Sequence, residues 1–347
     1  MKLRYKKYKL HFKRPSGTSR GILNSKETWF FILEENGRFG IGECGLLRGL
    51  STDDVPDYED RLKWVCHNIH KEFDDLWHKL RLYPSIQFGL EQAFMSLKSQ
   101  DSFVLFDSDF VHRGASIPIN GLVWMGDLGF MQAQLAQKVV EGFNCIKLKI
   151  GAIDFNSEIE LLTAARARYS RYQIELRVDA NGGFSTHDAL EKLQRLAHLD
   201  IHSIEQPIKQ GQWGAMARLC KESPIPIALD EELIGVYDPA EKEALLQEIK
   251  PHYVILKPSL IGGFRGSNEW IALAEKYNIG WWVTSALESN VGLNAIAQWT
   301  YTLNNTLPQG LGTGALYVNN VESPLTVTQG ALLYDTTKDW NINLILD

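Results

Sequence analysis

The sequence predicts an α/β chain: a (β/α)7β TIM-like barrel with an α+β capping domain built from the N-terminal part and the C-terminal tail. Three observations carry this expectation. From about residue 113, short apolar runs alternate with amphipathic stretches, the rhythm of parallel strands joined by crossover helices. Eight runs qualify as strands, which favours a closed barrel over an open sheet. The polar residues that end successive runs also recur at almost constant intervals.

The capping domain is expected over residues 1–112. Its opening, "MKLRYKKYKLHFKRPSG", sets Leu3, Tyr5, Tyr8, Leu10 and Phe12 among basic residues and reads as a solvated edge strand; a nucleic-acid arm is the competing explanation of the same lysines. "ETWFFILEENGRFGIGECG" alternates about its Glu-Asn-Gly turn, so it predicts an antiparallel hairpin. Residues 56–98 carry helical periodicity.

The barrel is expected over residues 113–316. It starts at "SIPINGLVW" and runs through "CIKLKIG", "IELRVDAN", "HSIEQP", "IPIALDE", "YVILKPS" and "WWVTSALES" to "QGLGTG". The stretches between, such as "SEIELLTAARARYS", "THDALEKLQRLAHL" and "NEWIALAEKYN", repeat apolar residues at three and four, as sheet-covering helices do. Lys149, Asp179, Glu205, Asp230, Lys257, Ser285 and Gly312 follow one another by 30, 26, 25, 27, 28 and 27 positions, one βα unit each time. "INGLVWMGDLG" lacks the GxGxxG that opens a dinucleotide-binding sheet. Residues 317–347 break the period and are expected to return to the capping domain.

Composition narrows the function classes. With 347 residues, 44% of them hydrophobic, the chain buries a large core, and its net charge of −6 comes from intermixed acids and bases. No run approaches the roughly 18 apolar residues of a membrane span, and no apolar h-region for export is seen. Cys44, Cys66, Cys145 and Cys220 are scattered, with neither a CxxC pair nor a disulfide framework. The expectation is a cytoplasmic protein with a small-molecule partner and no nucleic-acid or membrane partner. The nine histidines and ten tryptophans fall outside any ligand spacing and read as core or surface.

In a barrel the strand ends converge on one mouth, so Asp179, Glu205 and Asp230 would meet in space. Burying three unpaired carboxylates is costly, and together they call for a cation. An all-oxygen set suits Mg²⁺ before zinc, with Mn²⁺ as a substitute. The alternative is that each acid caps a helix or pairs with a lysine. Glu231 and Glu232 compete for the place of Asp230, and strand alternation would turn Glu232 to the same face. Lys147 and Lys149 share a strand face, and Lys257 ends a strand four units later. Crowding among these cations should lower a lysine pKa and free a base.

The ordered series "KLK", "DAN", "EQP", "LDE", "LKP" on a capped barrel resembles the enolase superfamily, in its muconate-lactonizing-enzyme-like subgroup. The resemblance implies proton abstraction alpha to a carboxylate, with a lysine base and Mg²⁺ stabilising the enediolate. It implies Asp179, Glu205 and Asp230 as metal ligands, and Lys149 and Lys257 on opposite faces of a small carboxylate substrate. Lys147 would hold Lys149 in place or act directly; Asn181 would assist the metal or form a turn with Gly182 and Gly183. Dipeptide epimerases of the subgroup carry Asp-x-Asp on the eighth strand, where this chain has Gly312 and Gly314. That departure leaves an aminoacyl ammonium without a partner, while the segment "TSALESNVGLNAIAQW" is similar to that of a dehydratase of the subgroup, which implies Ser285 and the glycine backbone facing the substrate; a racemase is the remaining alternative. The segments 14–21 and 42–50 are expected to close the mouth, offering Arg20 or Arg48 to a second carboxylate, with Glu43 held against the barrel.

Overall fold

A computed structural model describes residues 1–18, 21–151 and 153–346. The N-terminal sheet is a meander of β1 (Lys2–Thr18), β2 (Gly21–Glu35) and β3 (Arg38–Cys44). Asn36 and Gly37 both have positive φ, 51° and 76°, which is the geometry a tight two-residue hairpin loop demands of the "ENG" sequence. β1 lies at the sheet edge and keeps Lys2, Lys7, Lys9 and Lys13 exposed, where charge opposes edge-to-edge pairing. Helices α1 (Tyr58–Asn68), α2 (Phe73–Lys79) and α3 (Pro84–Lys98) cover this sheet. A methyl on Gly42 would come within 1.9 Å of the Gly89 carbonyl oxygen, so bare backbone is what lets α3 lie against β3.

After a short α4 (Asp109–His112) and β4 (Ser116–Pro118), seven parallel strands alternate with helices. They are β5 (Gly121–Val123), α5 (Leu128–Val140), β6 (Cys145–Lys149), α6 (Phe155–Arg168), β7 (Glu175–Asp179), α7 (Ala189–Ala197), β8 (Ile201–Glu205), α8 (Trp213–Glu222), β9 (Ile227–Leu229), α9 (Pro239–Ile249), β10 (Tyr253–Leu256), α10 (Pro258–Ile261), α11 (Gly263–Lys276), β11 (Gly280–Val283) and α12 (Asn290–Thr302). The strands pair in chain order from β5 to β11. Single bridges join Gly310 to Thr284 and Gln309 to Ile119, so the segment expected as an eighth strand makes two isolated bridges in place of a ladder. Along β7, Leu176 and Val178 join the main core, while Arg177 stacks on Trp282 at 4.3 Å. Ala228, Ile255 and Trp282 form a small separate apolar cluster.

Two expectations need correction. "SIPINGLVW" is not one strand: β4 ends at Pro118, which has no N–H to continue a ladder, and pairs antiparallel with the tail strand β13 (Ala331–Tyr334), next to β12 (Leu325–Thr328). The tail therefore divides its contacts. β13 joins β4, whereas Ile345 of α13 (Asn343–Leu346) packs with Phe30, Ile32 and Ile41 of the N-terminal sheet.

Buried acids tie the N-terminal part to the barrel helices. Glu43 accepts hydrogen bonds from the Ser289 and Gly292 amides, at 2.9 Å each, and so caps α12. Glu91 on α3 likewise accepts from the Phe264 and Arg265 amides at the start of α11. Burial pushes Glu91 up to about 7, against those amide bonds, and pushes Asp53 up to about 7, against its bonds from Ser85. Folded pKa values above the unfolded ones mean that this stability is full below about pH 4 and is lost as pH rises through 7. Asp53→Asn should therefore flatten the fall in stability between pH 4 and 7, by up to roughly 4 kcal/mol. An unchanged pH profile would show that Asp53 is ionised in the fold.

Candidate active site

Strand register alone assembles the first row of the site. Lys149 on β6 is paired with Asp179 on β7, which is paired with Glu205 on β8. Asp230 follows β9 by one residue, and one carboxylate oxygen each from Asp179, Glu205 and Asp230 lie within 4.8 Å of one another. All three acids are buried, at 1%, 0% and 2% exposure. Lys147 donates to Glu205 at 2.6 Å and lies 3.3 Å from Asp179; Lys149 donates to Asp179 at 2.9 Å; Lys257 donates to Asp230 at 2.5 Å.

For Lys147 and Lys257 these pairings reverse one expectation. Although burial works against the charged amines, Lys147 is held above its usual pKa by Glu205 and Asp179, and Lys257 by Asp230 and Glu231. Burial likewise opposes the ionised form of Asp179, yet Lys149, Lys147 and Lys257 together hold it below the usual carboxylate range.

Glu205 behaves differently. Burial pushes it up to about 7; Lys147 opposes the shift, while Asp179 and Asp230 add to it. Among the described residues its Oε1 is buried without a hydrogen-bond partner. A buried carboxylate oxygen lacking a donor, beside two further carboxylates, fits a divalent cation, and the all-oxygen donor set suits a hard one.

The sequence candidates distribute unevenly. Lys147, Lys149, Asp179, Asn181, Lys257, Ser285 and Gly312 line one cavity of about 660 Å³. Asn181 takes positive φ, 43°, accepts from Lys149 at 2.8 Å and donates to Glu231 at 3.1 Å, so it holds a lysine as well as making a turn. Ser285 gives its hydroxyl proton to Glu288 and accepts from Thr313 and the Leu287 amide, which commits it to the protein. Glu232 does not compete with Asp230. The chain leaves β9 into a 3-10 turn over Glu231–Leu233, alternation stops, and Glu232 accepts from Gln206 and the Gly211 amide.

Arg20 lies outside the described residues. Arg48 is drawn to Glu27 and Asp54 at the surface, while Arg14, Leu23, Leu47 and Leu50 supply the N-terminal wall of the cavity. Sequence reasoning missed Arg14 and Thr313. It also missed Trp124, whose ring centre lies 6.0 Å from the Lys149 ammonium. The aromatic residue at the end of "GLVW" was the available signal.

Lys149, Asp179 and Glu205 lie on one strand row, and Asp230 and Lys257 follow β9 and β10, so charges of both signs gather at one end of the curled parallel sheet. The enolase C-terminal domain-like family matches residues 131–337, and the chain belongs to the enolase superfamily. It is 46% identical to the o-succinylbenzoate synthase of Desulfotalea psychrophila (strain LSv54 / DSM 12343), over 96% of this chain and 98% of that one. The crystal structure of MenC from Desulfotalea psychrophila LSv54 superposes with a TM-score of 0.86 at 42% identity, covering 96% and 99% of the two chains. A hydrophobic dipeptide epimerase of Flavobacteria bacterium (strain MS024-2A) is 25% identical over 67% of this chain and 68% of its own.

Proposed function

We propose that this chain is a magnesium-dependent o-succinylbenzoate synthase, a lyase that removes water from 2-succinyl-6-hydroxy-2,4-cyclohexadiene-1-carboxylate to give the aromatic acid used in menaquinone synthesis. The observation that carries the proposal is the likeness to the Desulfotalea synthase. It runs through 96% of the chain and so takes in residues from both the N-terminal and the barrel walls of the cavity. The cavity side of the eighth strand agrees with it, since Gly312 and Thr313 offer no carboxylate to a substrate ammonium. Catalysis is assigned to residues 113–316, with 1–112 as the cap and 317–347 packed on both parts, in the cytoplasm. Among the described residues no helix is long and apolar enough to cross a membrane.

The chemical difficulty is that removing a proton alpha to a carboxylate places a second negative charge on it. Asp179, Glu205 and Asp230 would hold Mg²⁺, and the positive charge it would supply when bound would offset this second charge. Lys149 takes the alpha proton, and the electron pair left behind moves onto the carboxylate. Asn181 and Asp179 fix the position of Lys149 by hydrogen bonds. As the pair returns to form the ring double bond, the hydroxyl leaves with the proton given back by Lys149. Lys257 contributes positive charge from the opposite side, and Lys147 holds Glu205 and Asp179 in place.

The competing assignment is an N-succinylamino acid racemase, for which two lysines on one cavity are the supporting observation. Parallel assays separate them. Dehydration of the cyclohexadiene substrate should have the higher kcat/KM, and an N-succinylamino acid in D2O should exchange its alpha proton more slowly. Racemisation without dehydration would overturn the assignment.

A further inference from the structure

The third acid of the cluster stands outside the sheet that positions the other two. Asp179 and Glu205 belong to the parallel ladder, but the ladder between β8 and β9 ends at the pair Glu205 and Ala228. Asp230 lies two residues further on, with φ −122° and ψ −80°, where no strand neighbour holds its backbone. Something else must set its distance from Glu205.

The side chain of Gln206 occupies that place. Its backbone is held by the Gly182 amide, which donates to the Gln206 carbonyl, and by its own N–H, which donates to the Ala228 carbonyl. It takes positive φ, 35°, immediately before Pro207, a conformation a non-glycine residue keeps only when its surroundings impose it. From there the amide, fully buried, makes four hydrogen bonds. Its oxygen accepts from the Asp230 and Glu232 amides at 3.2 Å each, and its nitrogen donates to the Ile208 carbonyl at 3.0 Å and to Glu232 at 2.9 Å.

Glu232 completes the brace, since its other oxygen accepts from the Gly211 amide at 2.7 Å. Only a carboxamide meets two donors on one side and two acceptors on the other. A glutamate would face the Glu232 carboxylate, and an apolar residue would leave two amides without partners.

We infer that Gln206, locked by Glu232, is a positioning residue that fixes the Glu205–Asp230 spacing and through it the size of cation the three acids accept. The inference rests on the proposal that those acids hold Mg²⁺. Mg²⁺ demands short, near-ideal contacts, whereas Ca²⁺ tolerates longer and more variable ones. Loss of the brace should therefore cost Mg²⁺ more than Ca²⁺.

The test is calorimetric titration of the full chain with Mg²⁺ and, separately, Ca²⁺, alongside thermal unfolding without metal. Gln206→Met should weaken Mg²⁺ binding by about tenfold or more, the range seen when groups behind metal ligands are removed. Glu232→Gln should weaken it by a smaller factor, and Ca²⁺ should lose less than Mg²⁺ in both. Mg²⁺ affinity within twofold of the parent in either folded variant overturns the inference. So does an equal loss for both ions, which marks general loosening of the fold. If Gln206→Met does not fold, Glu232→Gln decides by the same criteria. Failure of the parent chain to bind Mg²⁺ overturns the metal proposal itself, a result distinguishable from failure of the brace.

Discussion

Lys149→Ala is expected to lose dehydration turnover by about 10²- to 10⁴-fold, the range associated with removing a positioned general base, while it still binds Mg²⁺. Lys149 is the last residue of β6, level with Asp179, and its amine is held between the Asp179 carboxylate and the Asn181 side-chain oxygen on the cavity wall. Alanine removes the amine and leaves all three acids, with Lys147 still bonded to Glu205. The loss should fall on kcat, since a group that acts in the transition state contributes little to uniform substrate binding. Steady-state kinetics with a parallel metal titration would show this. Turnover close to that of the parent would remove Lys149 from the role of base.

Asp179→Asn should act on the other half of the site. The substitution takes one negative charge from the ligand set and the shared partner from Lys147 and Lys149. Metal affinity should fall by at least about 100-fold, the upper end of the effect of disturbing outer partners, because here a direct ligand is lost. Leaving two buried ammonium groups with fewer counter-charges should also lower stability by roughly 3–5 kcal/mol. Calorimetry and thermal unfolding read the two effects separately. Unchanged Mg²⁺ affinity would exclude Asp179 from the ligand set, whatever happened to stability.

Much of this site was legible in the sequence because its geometry follows from periodicity. A βα unit has a nearly fixed length, so acids and lysines at strand ends spaced 25 to 30 residues apart had to share one rim once the sheet curled. The pairing of Lys149, Asp179 and Glu205 follows from that rule. What was not legible depended on where regular structure stops. Alternation placed Glu232 with the metal ligands, but the 3-10 turn after Asp230 sends it to Gln206. Pro118 divides a run that hydropathy joins, and the partner of the first piece, β13, lies more than 200 residues further on. Arg48 was a sound candidate by charge, yet Glu27 and Asp54 take it at the surface. Such pairings between distant polar side chains have no periodic signature. The positive φ of Gln206 has none either, because propensity gives no reason for a left-handed glutamine before proline.

If, as proposed, a cation held by the three buried acids acts with Lys149 to dehydrate a cyclohexadiene carboxylate, absorbance-monitored conversion of that substrate by the purified chain, first with Mg²⁺ and then after EDTA, reads it directly. Rapid formation of the aromatic product, abolished by EDTA and restored by added Mg²⁺, is the predicted result. Absence of product while Mg²⁺ is demonstrably bound would contradict it.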